Sequence, residues 1–239
     1  MILLMLLMPL AAFLYSSVGH GGASSYIVLL TLFGFAPAEV RPAALLLNIA
    51  VSAISFLTFR KTCSFPKELF LSLILFSIPA SFIGGTFLLD EKIYRKILGL
   101  LLLLPISRLF NIFKLKESKP VERKFWMAPA WGLAIGFVSG LVGIGGGILL
   151  SPVLILLGWA NLKQTAAISS LFIFLNSISG LIGSGLSGLV WPSHFEILLP
   201  LTVAGGIAGG YYGANRYSAP AMKYALATVL TVASVKFLL

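Results

Sequence analysis

Two clusters of glycine interrupt apolar sequence, and they are the residues whose types and spacing could do chemistry. Residues 19–22 read Gly-His-Gly-Gly, and residues 143–147 read Gly-Ile-Gly-Gly-Gly. Glycine costs about 1 kcal/mol relative to alanine inside a helix, so each cluster predicts a break between two helices. A helix that restarts after a break presents unpaired N–H groups and a partial positive charge, which favour anions. The clusters therefore predict an anion-binding site, the alternative being close helix packing through small residues.

His20 lies inside the first cluster, where the second has Ile144. An ionisable group at membrane depth is by default a functional-site hypothesis, and histidine titrates near neutral pH. We expect His20 to contact an anionic substrate or to carry a coupling proton. The alternative is a histidine hydrogen-bonded to backbone at a helix end.

Serine and asparagine residues recur in the apolar stretches that follow each cluster. They donate neutral hydrogen bonds, which suit an oxyanion that must be released again, and the alternative is helix–helix bonding worth about 0.6 kcal/mol each. Arg41, in the link before the third apolar run, and Lys163 and Gln164 at the mirrored position are predicted to form the two mouths of the pathway. With the glycines, the candidate substrate-binding residues are Gly19, His20, Gly21, Gly22, Ser24, Ser25, Asn48, Ser52, Gly143, Gly145, Gly146, Gly147, Ser169, Ser170 and Asn176.

The residue types argue against an enzyme. One cysteine and two histidines make no metal-ligand cluster, so we expect no metal and no cofactor. Residues 185–188 (Gly-Leu-Ser-Gly) match a rhomboid protease pattern, and His194 follows. Rhomboids take their histidine from a later span, and a Ser–His pair must lie within hydrogen-bond reach. We predict that Ser187 has no catalytic role.

Composition places the chain in a membrane. It is 59% hydrophobic and only 10% charged, whereas a soluble domain carries about 25% charged residues. The net charge of +10 comes from lysines and arginines in the links between apolar runs. Lipid headgroups and the positive-inside rule explain this placement, and no nucleic-acid partner is expected.

The apolar runs form two similar sets. A spanning helix needs about 20 apolar residues, and the second run of each set has roughly 15. We predict that the first two runs of each set form a re-entrant hairpin with a glycine cluster at its tip, followed by three spans; two tilted full spans are the alternative. The runs are 1–18, 22–36, 41–59, 68–89 and 93–113, then 125–142, 146–160, 164–184, 194–214 and 218–239.

The two sets are an internal repeat. A shift of 124 residues superposes Gly19 on Gly143, Gly21 on Gly145 and Gly22 on Gly146 without gaps, which indicates a duplicated unit. The predicted fold is an all-α integral membrane protein. Its domains are a first repeat (1–113), a cytoplasmic linker (114–124) and a second repeat (125–239).

Charge predicts that the second repeat is inverted. The link with Arg60, Lys61 and Lys67 and the link at 108–124 lie two spans apart, and both are basic, so they face the cytoplasm. The second-half counterpart of the first link, 185–193, has no lysine or arginine. Equivalent links then face opposite sides, and both termini lie outside. The basic residues within 90–96 run against this orientation.

The paired breaks resemble those of the TauE/SafE family of sulfite exporters and sulfur-organic-anion permeases. The most specific part is Gly143 to Gly147 followed by Pro152 and then 167–171 (Ala-Ile-Ser-Ser-Leu). The first half departs from the pattern, with His20 and Ala23 where a fuller glycine run is common. The resemblance implies a multi-pass protein of the plasma (inner) membrane that transports small sulfur-containing anions such as sulfite or organosulfonates.

The resulting hypothesis is an exporter that works by alternating access around the paired breaks. A negative cell interior favours anion export by about 2.3 kcal/mol per charge per 100 mV, whereas uptake needs coupling, for example to protons through His20. The alternatives are a passive anion channel and a membrane scaffold subunit that transports nothing. Expected partners are a small anionic substrate and the lipid bilayer, with a homo-oligomer left open.

Overall fold

The computed structural model describes residues 1–87, 89–90, 92–94, 96–97, 100, 125–186 and 188–215, and this part of the chain is helical without strands. The all-α prediction is confirmed. The predictions for the span at 93–113 in its greater part, the linker at 114–124, Ser187 and the last span at 218–239 lie outside the described residues. The helices are α1 (Ile2–Ser16), α2 (Ala23–Leu32), α3 (Pro37–Phe59), α4 (Lys67–Thr86), α5 (Ala128–Val142), α6 (Gly147–Leu156), α7 (Leu162–Gly185) and α8 (Phe195–Asn215).

Five segments in the described part are long and apolar enough to cross a membrane: α3, α4, α7, α8, and α5 together with the 3-10 turn Phe125–Met127 before it. The helices α2 and α6 have 10 residues each. At 1.5 Å per residue such a helix covers about 15 Å, half of a hydrocarbon core of about 30 Å. Neither can span a bilayer alone, which agrees with the short second run of each predicted set.

The first break turns α1 and α2 into a hairpin. The Tyr15 hydroxyl lies 2.8 Å from Ser24 Oγ across the break. The helix α2 begins beside Asn48, in the middle of α3, and the chain then returns through 33–36 to the start of α3. The end of α1 lies level with Ser55, because Ser16 Oγ is 2.9 Å from Ser55 Oγ. Along α8, from Gly205 to Gly210, α1 and α3 advance in the same direction. The helix α1 therefore runs parallel to α3, and both outer ends of the hairpin lie towards the end of the bundle where α3 begins.

The second half repeats the helices of the first with matching bounds, and helices of each half pack against helices of the other. The helix α6 begins and ends 124 residues after α2, the same shift that superposes the glycine clusters. The helix α1 packs along α8, and its counterpart α5 packs along α4, while α3 and α7 pack against each other between these pairs. Each half thus supplies a helix to the other, as expected of two halves that fold as one body.

Two stripes of glycine allow the exchanged helices to pack closely against their partners. Within each stripe the glycines are four residues apart. On α5 and on α8, a Cβ added at any stripe position would collide with a backbone carbonyl of the facing helix. Small residues let helix backbones approach when no side chain intervenes. These glycines pack helices, whereas the clusters at 19–22 and 143–147 break them. The stripes are Gly132, Gly136 and Gly140 against α4, and Gly205, Gly209 and Gly213 against α1.

Large apolar side chains cover the outer faces of several helices. Leu6 of α1, Leu71 and Leu75 of α4 and Ile182 of α7 are more than half exposed. Contiguous exposed apolar surface is rare on soluble monomers, so hydrocarbon is the medium that suits these faces. The interior, in contrast, holds many buried serines and asparagines, including Ser52, Ser77, Ser81, Asn48 and Asn176.

Candidate functional site

The two glycine breaks lie against a shared pair of side chains, Asn48 of α3 and Ile173 of α7. A Cβ added at Gly145 would lie 2.5 Å from Asn48 Nδ2 and 2.8 Å from Ile173 Cγ2. A Cβ at Gly21 would overlap the same Asn48 side chain and lie 3.1 Å from the same Ile173 methyl. The structure therefore brings together the two breaks that the repeat predicted to face each other.

Asn48 bonds to both breaks at once. Its Oδ1 accepts a hydrogen bond from the Ala23 amide at 2.9 Å, and its Nδ2 donates to the Ile144 carbonyl at 3.3 Å. The same Nδ2 lies 3.4 Å from Ser177 Oγ on α7. Asn48 is fully buried, so this amide links the first break, the second break and α7 away from water.

His20 reaches from the first break to helices of the second half. Its Nδ1 lies 3.1 Å from the Val18 carbonyl, and its Nε2 lies 2.9 Å from Ser151 Oγ on α6. Ser151 Oγ is in turn 2.8 Å from Ser169 Oγ on α7. Because a carbonyl can only accept, Nδ1 carries a proton. Ser151 Oγ also lies 2.9 Å from the Gly147 carbonyl, so its one proton goes either to that carbonyl or to Nε2 of the neutral ring. The ring is half-buried, in contrast to fully buried Asn48.

The break glycines leave backbone donors unused. The N-cap residues of α2 and α6 are Gly22 and Gly146, both left-handed with φ of 96° and 77°, and neither helix has a capping side chain at its N-cap. In the described part of the chain, none of the amides of Gly145, Gly146 and Gly147 donates to a backbone carbonyl. Free N–H groups at a helix start are a ready anion site.

Several predicted site residues bond elsewhere. Ser52 donates to the Asn48 carbonyl and Ser170 to the Ala166 carbonyl, each within its own helix. Asn176 accepts from Ser77 of α4 and donates to the Phe172 carbonyl at 2.9 Å. The bonds of these three side chains stay within helices or join α7 to α4, and none is made to a break. Of the other candidates, Gly19 packs against Ala166, and Gly143 packs against Arg41.

Arg41 lies inside α3, not in the link that was predicted to hold it. It is 7% exposed, and its guanidinium donates to carbonyls where α4 and α5 end. Nη1 reaches Phe87 O at 2.7 Å, and Nη2 reaches Gly140 O at 2.8 Å as well as the carbonyls of Gly84 and Gly85. The boundary shifted because Pro37 is accepted in the first turn of a helix, so α3 begins four residues before Arg41.

A cavity of about 220 Å³ lies beside Arg41 at the end of the bundle where α3 begins. Its lining includes Pro37, Leu141 of α5, Ser184 of α7 and Tyr94. Lys163 and Gln164 lie in the first turn of α7, where Lys163 is exposed and Gln164 donates to the Ser64 carbonyl at 3.1 Å. The predicted mouth residues therefore lie at helix starts, one of them against a cavity.

Sequence reasoning missed four side chains at the breaks: Ser151, Ser177, Ile173 and Tyr15. Ser151 could have been found, because it lies one helical turn after Gly147 and so on the same face of α6. Ser177 likewise follows Ile173 by one turn on α7. In the described part of the chain, no three His, Cys, Asp or Glu side chains gather as metal ligands would. Backbone amides, an amide side chain, hydroxyls and one imidazole are what this site offers.

An all-helical membrane protein with two helix breaks meeting inside it belongs, by fold and site, to the class of membrane transporters built on broken helices. Residues 4–237 match the family model described as sulfite exporter TauE/SafE. The chain belongs to this family, which is a family of transporters and not of enzymes. It is a multi-pass membrane protein.

Curated relatives agree with this assignment. The chain is 34% identical over 231 residues to the probable membrane transporter protein y4hK of Sinorhizobium fredii, covering 95% of this chain and 94% of that protein. It is 26% identical over 226 residues to the probable membrane transporter protein YdhB of Bacillus subtilis, covering 89% of each. No solved structure matches the chain.

Proposed function

We propose that the protein is a secondary transporter of the plasma membrane that exports a small sulfur-containing anion, bound where the two breaks meet. The observation that carries the proposal is the convergence of both breaks on Asn48, with the amides of Gly145 to Gly147 free of carbonyl acceptors. Free amides at a helix start favour an anion. Hydroxyl and amide side chains add hydrogen bonds without a fixed positive charge, which suits release.

Sulfite is the anion that the family description names, and an organosulfonate offers the same kind of oxygen acceptors to this donor set. A sulfur oxyanion presents several acceptor oxygens around one centre, and donors from two sides of a pocket can bind them together. The breaks supply such donors from two directions, backbone amides from the second break and, once its ring is protonated, His20 from the first. The printed names of the relatives specify transport without a substrate, so the anion is assigned by the family and the donor set alone.

Alternating access would follow from an inverted relation between the halves. In inverted-repeat transporters the two repeats exchange conformations about a site near the bilayer midplane. The exchanged helix pairs, α1 with α8 and α5 with α4, give each hairpin a partner helix from the other half. We propose that each hairpin moves with its partner helix, opening the breaks first to one side and then to the other. Arg41 with its cavity, and Lys163 with Gln164, would be the two mouths.

Uptake of an anion against the membrane potential would need a coupling ion, and His20 supports protons in that role. Its bonding partners are the Val18 carbonyl and the Ser151 hydroxyl, and in the described part of the chain no Asp, Glu, Lys or Arg side chain bonds to it. Protonation would make Nε2 a donor to Ser151 Oγ, and the Ser151 proton would then go to the Gly147 carbonyl. The ring would then carry positive charge at the site when an anion is present, and would lose it when the anion leaves.

Purified protein in liposomes tests the proposal. We expect saturable uptake of radiolabelled sulfite that is accelerated when unlabelled sulfite is loaded on the opposite side, because a carrier returns faster when loaded. Flux that neither saturates nor shows counter-flow would indicate a channel. Absence of flux with sulfite, thiosulfate and sulfoacetate alike would favour the scaffold alternative and contradict the proposal.

A further inference from the structure

We infer that the anion binds at the second break, residues 143–147, and that the first break is a structural counterpart whose helix start is already capped by a protein side chain. The inference rests on the proposed function and adds to it which of two similar breaks holds the substrate. The two halves carry different side chains at equivalent positions around the breaks, and those differences decide the question.

In the first break the start of α2 is capped, although the amides of Gly21 and Gly22, like those of Gly145 and Gly146, donate to no backbone carbonyl in the described part of the chain. Asn48 Oδ1 accepts from the Ala23 amide, the first donor of α2, at 2.9 Å. The Tyr15 hydroxyl bonds to Ser24 Oγ at 2.8 Å. The Tyr26 hydroxyl donates to the Gly21 carbonyl at 2.7 Å. Ser25 Oγ is the exception in the first break because, like Ser139 Oγ in the second, it is buried without a hydrogen bond. The comparison between the breaks therefore depends on the Asn48 cap of α2. An anion at the start of α2 would have to displace Asn48.

The second break lacks each of these partners. At the shift of 124 residues, Asn48 corresponds to Phe172, Tyr26 to Leu150 and Tyr15 to Ser139. A Cβ at Gly146 would lie 2.9 Å from Phe172 Cε1, and a phenyl ring accepts no conventional hydrogen bond from the α6 amides. The amide donors at the start of α6 therefore have no side-chain cap, whereas the equivalent position of α2 is capped by Asn48.

At the second break, where the helix start is also uncapped, Ser139 adds a buried hydroxyl without a partner. Its side chain is fully buried, and its Oγ has no hydrogen-bond partner. Its Cβ lies 3.3 Å from the position of a Cβ on Gly146, so the side chain adjoins the N-cap of α6. Buried hydroxyls are almost always bonded, and leaving one unpaired is unfavourable. An oxyanion at the start of α6 is an acceptor that would satisfy both the hydroxyl and the free amides.

Groups that favour negative charge lie on either side of this position. The His20 ring is close to Gly147, with Cδ2 3.6 Å from the position of a Cβ there, and it is half-buried where the other site groups are buried. On the other side, the stem of Arg41 packs against Gly143 at the start of the break. By contrast, Ile144 of the second break, the counterpart of His20, lies in one apolar cluster with Tyr15 and Ala23, so an apolar side chain approaches the first break.

The test compares Ser139→Ala with Tyr15→Phe, which remove the hydroxyls of equivalent residues in the two halves. Each variant is purified at full length, and uptake of radiolabelled sulfite, thiosulfate and sulfoacetate into liposomes is measured against concentration. We expect Ser139→Ala to raise the half-saturating concentration of the transported anion about tenfold, the value of one hydrogen bond to a charged group. The melting temperature of Ser139→Ala should equal that of the wild type, since the variant loses no internal hydrogen bond. Tyr15→Phe should lower the melting temperature and change half-saturation less than twofold.

A second variant keeps the inference testable if half-saturation is hard to measure. Ser139 is fully buried in this structure, so in a Cys63→Ser background Ser139→Cys should react with a small thiol reagent only as the pathway opens, and the transported anion should slow that reaction. Equal effects of Ser139→Ala and Tyr15→Phe on half-saturation, or no protection of Ser139→Cys, would overturn the inference while leaving transport intact. If the wild-type protein transports none of the three anions, the proposed function fails and the inference fails with it.

Discussion

Asn48 Oδ1 accepts a hydrogen bond from the Ala23 amide at 2.9 Å, so a side chain from the middle of α3 caps the start of α2. Capping residues normally come from the N-cap itself, but here the N-cap is Gly22, which has no side chain to offer. The cap therefore comes from another helix, and its free Nδ2 extends to the second break at Ile144. One buried amide thus fixes the relative position of both breaks.

Replacing Asn48 with alanine should weaken the fold and stop transport. The change leaves the buried Ala23 amide without an acceptor and the Ile144 carbonyl without its donor, and an unsatisfied buried group costs about 1–3 kcal/mol. We expect a clear fall in the melting temperature in detergent together with loss of sulfite uptake in liposomes. Thr58→Ala, on the same helix, removes a hydroxyl that bonds only to its own helix at Ile54 and should change both measurements little. Equal melting temperatures for the two variants would contradict the role of Asn48.

Replacing Gly145 with leucine should abolish transport while the protein still inserts in the membrane. A Cβ there would lie 2.5 Å from Asn48 Nδ2 and 2.9 Å from Ser177 Oγ, and φ of +72° is unfavourable for any residue with a side chain. Gly185→Ala is the control, because a Cβ at Gly185 meets nothing within 4 Å. Membrane fractionation reports insertion, and labelled-sulfite uptake reports transport. Wild-type uptake in the Gly145 variant would rule out the break as the substrate site.

Glutamine at position 20 should uncouple transport from protons. A glutamine can still exchange hydrogen bonds with Ser151 but cannot take up a proton between pH 5 and 8, as histidine does. In liposomes carrying a pH gradient, wild-type uptake should be faster when the side that supplies the anion is the acidic one. The His20→Gln variant should show the same uptake with and without the gradient. Retained acceleration in the variant would assign the coupling proton to another group.

The local breaks and helix types were predictable because they depend on short-range chemistry. Glycine disfavours helix wherever it occurs, so the clusters at 19–22 and 143–147 marked the ends of α1 and α5. The ungapped shift of 124 residues then implied matching helices, and α2 and α6 have matching bounds. The length of an apolar run likewise separated the 10-residue helices from the longer ones. Each of these inferences needs only neighbouring residues.

The partners of polar side chains were not predictable in the same way. Asn48 and Ser52 look alike in sequence, as polar residues one turn apart, yet only Asn48 reaches the breaks while Ser52 bonds within its own helix. Ser151 was overlooked because its significance depends on His20, 131 residues away. Such differences arise from how helices of the two halves pack, which a pattern along one helix does not contain. Arg41 was misplaced for a related reason, since the start of α3 depends on the turn at Pro37.

Arg41 should be essential for stability, whatever its part at the mouth of the pathway. Its guanidinium donates to the carbonyls of Phe87, Gly84, Gly85 and Gly140, at the ends of two helices, and carbonyls at a helix C-terminus favour a cation.

Arg41→Gln would leave several of these buried acceptors unpaired, at about 1–3 kcal/mol each, so the melting temperature in detergent should fall steeply. The melting temperature of Arg41→Lys should fall less, because lysine keeps the positive charge. It should still fall, because lysine lacks the forked guanidinium that reaches two helices at once. Lys163 is exposed, so Lys163→Gln should change the free energy of unfolding by no more than about 0.5 kcal/mol. If Arg41→Gln has the same melting temperature as Lys163→Gln, the guanidinium does not hold α4 and α5 together.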